Sequence, residues 1–160
     1  APAVGVRQRN LPMRENGNNF LVLGAIFCGI VAAVHIGCAI FGGDWYRVLG
    51  AGEQLTEMSE QGHWYPPVIT LVIASIFIVW SLYALSGARK ILRLPFLRTV
   101  LCIISAILIF RALAFFIIMP LFPGNSLAFW IVSSAICFGI GALYTIGLVR
   151  AWPQLGAKSA

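Results

Sequence analysis

This 160-residue sequence has little charge: eleven Lys and Arg, five Asp and Glu, 10% in all, against 60% hydrophobic residues. An ordinary soluble domain carries about 25% charged residues. A chain this short and this apolar cannot cover its own surface with polar groups, which excludes a soluble globular enzyme and a disordered tail. No Asp or Glu lies inside any long apolar run, which argues against a proton-coupled exporter built around a membrane carboxylate. The cysteines Cys28, Cys38, Cys102 and Cys137 form no C-x-x-C pair, so thiol-redox chemistry is disfavoured. They read as small apolar side chains, with no disulfide and no metal expected. Nucleophile elbows and phosphate-binding loops are missing too, and no cofactor is expected. The bases lack aromatic interleaving on a water-facing surface, so no nucleic acid is expected as a partner. What remains is an integral membrane protein with the lipid bilayer as its first partner.

What the sequence does have is long apolar runs. A bilayer core of about 30 Å needs roughly 20 apolar residues in helical form. Spans are expected at about 20–42, 67–85, 99–122 and 127–149, none of them broken at its midplane. Gly42-Gly43, Pro66-Pro67, Gly87 with Pro95, and Pro123-Gly124-Asn125 separate them. The expected fold is an all-α, integral membrane four-helix bundle over residues 20–152, with a basic segment at 1–19 and a tail at 153–160. The first apolar run is longer than the roughly 7–15 residues of a signal peptide and lacks a cleavage site, so it reads as a span. Met13 is a candidate start preceded by extra residues.

Charge placement gives an orientation. Arg7, Arg9, Arg14, Arg89, Lys90, Arg93, Arg98, Arg150 and Lys158 fall on one side of the spans, and Arg47 alone on the other. Asp44, Glu53, Glu57 and Glu60 join Arg47, leaving only Glu15 with the bases. The positive-inside rule then puts both termini and the 86–98 loop in the cytoplasm. The net charge of +6 is therefore a gradient that sets orientation rather than a signal for an acidic target. Cytoplasmic-leaflet anionic lipid is the acidic partner it implies. Trp45, Tyr46, Trp64 and Tyr65 read as interface aromatics of the outer loop, Tyr144 and Trp152 as those of the inner end, and Trp130 lies near the outer end of the fourth span.

Arg111 stands apart from that gradient. It lies about 18 Å from the inner edge of its span by helix rise. A charge there costs about 2.5–3.5 kcal/mol or more unless paired or hydrated. An arginine does not relay protons, so its roles are anchoring or anion binding. Snorkelling would carry its head outward. His35, about 22 Å from the inner edge, lies at similar depth. Ser133 and Ser134 enter that level from the outside, so Arg111, His35, Ser133 and Ser134 are the candidate residues of one polar pocket, structural or ligand-binding. Ala25, Gly29, Ala33 and Gly37 recur every four residues on the first span and form a candidate helix-packing face, with Gly24, Cys28 and Ala32 beside it. That face suits packing inside the bundle, a homo-oligomer or a membrane-protein partner.

In the first outer loop Gly50-Ala51-Gly52 reads as a turn, and Glu53 to Gln61 as a short interfacial helix closed by Gly62. Glu53, Glu57 and Glu60 share one face of it, and with Asp44 they form an acidic surface. That surface is either solvated or folded back on Arg111. Metal binding by Glu57, Glu60 and His63 is the weakest reading, because di-iron bundles need Glu-x-x-His twice with further carboxylates.

The segments Asp44-Trp45-Tyr46-Arg47, Gly50-Ala51-Gly52-Glu53 and Trp64-Tyr65-Pro66, with the basic Arg93-Leu94-Pro95-Phe96-Leu97-Arg98 loop, resemble those of small four-span bacterial inner-membrane proteins of unassigned function. The resemblance covers residues 20–152 and implies a four-span bundle in the inner membrane, without any activity or catalytic residue. The expected function is a non-catalytic accessory or assembly subunit. The alternative is a binder or transporter of a small amphiphilic or anionic ligand, and a lipid-modifying enzyme with His63 or His35 as base ranks third.

Overall fold

The computed structural model describes residues 16–122 and 124–155. Arg7, Arg9, Met13, Arg14 and Glu15, like Lys158 in the tail, lie outside the described residues. The elements are α1 (Asn16–Phe41), α2 (Gly43–Val48), α3 (Glu53–Glu60), α4 (Tyr65–Gly87), α5 (Leu97–Leu113), α6 (Phe115–Ile118), a 3-10 turn at Met119–Leu121, and α7 (Leu127–Leu155). Helices α1, α4 and α7 are long and apolar enough to cross a membrane, and α5 with α6 and the 3-10 turn makes a fourth if that bent pair is one span. Pro66 and Pro67 open α4, where a missing N–H removes no helical bond.

The long helices pack in the order α4, α1, α7, α5, and α4 also meets α5 where Gly87 lies against Leu101. The core lies between them, with Leu21, Cys28, Leu101, Ile104, Leu108 and Tyr144 buried together. Lipid supplies no hydrophobic drive for helix association, so close approach and hydrogen bonds must hold helices of this kind together. Both occur on α1. A Cβ at Gly24 would come within 2.7 Å of the Tyr144 ring, so glycine lets α7 lie against α1. Ser81 of α4 donates to the Ala25 carbonyl at 2.9 Å.

The packing face of α1 corrects the sequence reading in part. Ala25 and Gly37 are buried, but Gly29 and Ala33 are exposed, and a Cβ at Gly29 would have nothing within 4 Å. A four-residue step overshoots a helical turn by about 40°, so a row of four such residues wraps round the helix instead of staying on one face. Ala25 faces the bundle, whereas Gly37 lies under the Trp45 ring, 2.5 Å from the Cβ it lacks. The neighbouring Gly24, Cys28 and Ala32 are buried throughout.

The unbroken third span is also corrected. Helix α5 ends at Leu113, and the chain bends by 64° into α6 and the 3-10 turn. Pro120 has no N–H for the Phe116 carbonyl and disfavours helix at Met119, which keeps the segment beyond the bend short. The helix expected after the Gly50–Gly52 turn is α3, and α2 is an additional short helix before it.

Candidate functional site

Arg111 sits in the last turn of α5, where unpaired carbonyls favour a cation. Its Nη1 donates to Ser134 Oγ and its Nη2 to Ser133 Oγ, both at 3.3 Å. The guanidinium also lies over the Trp130 ring, 4.8 Å from its centroid. Trp130, Ser133 and Ser134 are spaced i, i+3, i+4 and so share one face of α7. Ser133 donates its own proton to the Trp130 carbonyl at 3.2 Å, which leaves its lone pairs to Arg111. The result is a clasp between α5 and α7 just before the bend. Among the described residues no carboxylate reaches Arg111, since the ion pairs run from Arg47 to Asp44 and Glu60.

His35 does not join this group. Its Nδ1 donates to the Val31 carbonyl at 2.7 Å, and its ring stacks on Phe77 of α4 with centroids 6.0 Å apart. Its contacts therefore lead to α4, not to α5 or α7. Of the four residues expected in one pocket, the structure brings together Arg111, Ser133 and Ser134.

The acidic loop is closed on itself. Arg47 donates to Asp44 at 3.2 Å and to Glu60 at 2.5 Å, tying α2 to α3. The stem of Glu60 lies over Gly43. Glu53 and Glu57 are exposed, so the acidic face does not fold back on Arg111. Among the described residues no three His, Cys, Asp or Glu side chains converge, and the Glu57, Glu60 and His63 grouping does not form. Trp64 and Tyr65 are exposed, as interface aromatics would be, and Trp45 stacks on Phe41 at 4.9 Å. Tyr46 is different. It is 2% exposed, and its hydroxyl donates to Thr70 Oγ1 at 2.8 Å, which in turn donates to the Pro66 carbonyl. Burial pushes the Tyr46 phenol pKa up, with the Thr70 bond opposing in part. Gly52, at φ +96°, meets Asn125, and Gly50 meets Phe129, so the loop between α2 and α3 locks onto the start of α7.

Two polar arrangements escaped the sequence reading. Tyr144, taken for an interface aromatic, is fully buried. Its hydroxyl donates to the Trp80 carbonyl at 2.8 Å and lies 3.3 Å from Cys28 Sγ, joining α7, α4 and α1. At the other end of α5, Arg98 lies over Trp152, 3.4 Å from the ring centroid. The helices thus carry an Arg–Trp stack near each end. Arg98 and Arg111 are about 20 Å apart along α5 and Trp130 and Trp152 about 33 Å apart along α7, so the arginines splay towards opposite ends of the helix pair. The signal available in the sequence was the pair of Trp residues bracketing the fourth span. No family model, no curated protein and no solved structure matches the chain.

Proposed function

We propose that this chain is a non-catalytic component of the bacterial inner membrane, an accessory or assembly subunit that packs against membrane-protein partners or further copies of itself. The observation that carries this reading is the engagement of the polar groups on the apolar helices. Arg111, Ser133, Ser134, His35, Ser81 and Tyr144 are each bonded within the chain. General acid–base or nucleophilic work needs such groups aimed at a substrate. Both termini and the 86–98 loop face the cytoplasm in this reading. Support comes from Arg89, Lys90, Arg93, Arg98 and Arg150 at one end, with Asp44, Glu53, Glu57 and Glu60 at the other. The resemblance of the two loops to four-span inner-membrane proteins is consistent with it and adds no activity.

The test uses the uncovered part of α1. Extraction in mild detergent, with copurification and light scattering, should give a complex or oligomer. Gly29→Leu should dissociate it without lowering monomer stability, because Gly29 touches nothing within the chain. A wild-type protein that runs alone from native membranes overturns the reading.

One observation favours a second reading, an anionic ligand at Arg111. Among the described residues the guanidinium has no carboxylate partner, and the Trp130 Nε1 beside it is buried without an acceptor. Under that reading Arg111→Leu loses a bound anion and keeps its fold; under the first it loses stability and no ligand.

A further inference from the structure

We propose that the basic end of the bundle is a binding site for the phosphate of an anionic lipid. It lies where the 88–96 loop, the first turn of α5 and the end of α7 meet. The proposal needs the chain to sit in a bilayer, but it is independent of the accessory role.

A cavity of about 400 Å³ opens there, and Arg93, Arg98, Phe96, Leu97, Thr99 and Leu155 line it. Arg98 lies over Trp152, its guanidinium carbon 3.4 Å from the ring centroid. Stacking uses the face of a guanidinium and leaves its in-plane N–H groups for an acceptor. Its Nε is buried and has no hydrogen-bond partner, so a donor is already desolvated at the site. Arg93 also lines the cavity and donates from Nη2 to the Leu155 carbonyl. No side chain caps α5, whose N-cap Phe96 is in the left-handed region. The leading amides of a helix in that state favour a phosphate. Among the described residues every Asp and Glu lies at the other end of the bundle.

The loop also decides between a lipid and a soluble phosphate. Leu92 is 89% exposed and Phe96 82%, beside Arg89 and Lys90. A water-facing phosphate site has no use for two such side chains. At the headgroup boundary they lie among acyl chains while the arginines meet the phosphate. One ligand accounts for the cavity beside two arginines and for the exposed apolar pair.

The experiment takes the full chain, delipidated in neutral detergent, and counts retained lipid by native mass spectrometry. Dioleoyl phosphatidylglycerol and dioleoyl phosphatidylcholine are compared, and inorganic phosphate alone forms a third arm. Phosphatidylglycerol should be retained over phosphatidylcholine, and Arg98→Gln should weaken retention about fivefold, the effect of one basic residue at an anionic surface. Arg47→Gln removes the same charge at the acidic end and should leave the preference intact. Leu92→Ser with Phe96→Ser, on side chains that pack against little, should also weaken retention while helix content holds. Equal retention of the two lipids overturns the proposal, as does an Arg98→Gln protein with the wild-type preference. Retention unaffected by the Leu92 and Phe96 changes, with inorganic phosphate displacing the lipid, overturns the lipid as source.

Discussion

The two ends of the α5–α7 pair repeat one motif and complete it differently. At the acidic end Arg111 lies on Trp130 and has two serine hydroxyls to bond, and the donor left without an acceptor is the indole Nε1 of Trp130, not the arginine. At the basic end Arg98 lies on Trp152, its Nε has no partner, and a cavity opens beside it. The surroundings differ in the same sense. Near the first stack the 49–52 loop interlocks with the 124–126 loop and Phe129 through Gly50 and Gly52, whereas the loop next to the second exposes Leu92 and Phe96. A stacked arginine is thus a fastener where the protein supplies acceptors and a receptor where it does not. Residue type does not separate the two roles. The neighbouring polar atoms do.

The sharpest way to break this contrast is to unlock the acidic end. Gly52 holds φ +96°, and an added Cβ would collide with Asn125 and the Gly124 carbonyl. Gly52→Val should therefore cost about 3 kcal/mol, from left-handed backbone strain together with overpacking. Thermal unfolding in detergent measures it. Leu92→Val at the basic end should leave the midpoint unchanged, because that side chain is almost wholly exposed. Equal effects at the two ends would remove the distinction between a locked and an open end.

A smaller effect tests the stacks themselves. Arg111→Leu removes two hydrogen bonds from a partly buried charged donor and should cost about 1 kcal/mol, since relief of the charge in lipid offsets part of the loss. Arg98→Leu, measured without lipid, should change stability by less. Reversal of that order would make Arg98 the fastener.

The sequence reading reached the apolar runs because a span is a property of composition over some 20 residues, which no neighbour can override. It also found the Gly50–Gly52 turn and the helix after it. Arg111 was visible by the cost of its charge, and Ser133 and Ser134 by depth. His35 had the same depth and the wrong azimuth, and azimuth depends on how helices rotate against each other. The α1 stripe failed for a related reason, since a four-residue repeat drifts round the helix. The break after Leu113 was hidden because Pro120 marks a weak helix without saying where the chain turns. Tyr46 and Tyr65 show the limit most plainly. Both are tyrosines at the edge of the same loop, and only the docking of α2 onto Thr70 separates the buried one from the exposed one.

The finest test uses that buried tyrosine. Below about pH 10 the phenol is neutral in both the folded and the unfolded chain, and its contribution to stability is complete. Burial raises the folded pKa above the unfolded one. As pH rises past the unfolded value, the unfolded chain ionises first, so the contribution falls and is lost through the folded pKa. Tyr46→Phe lacks the ionisation and the Thr70 bond together. Its unfolding midpoint should lie slightly below wild type at pH 8, and the two curves should converge towards pH 11. Parallel curves would mean that Tyr46 opens to solvent in the folded state, and the acidic end would then be no more closed than the basic one.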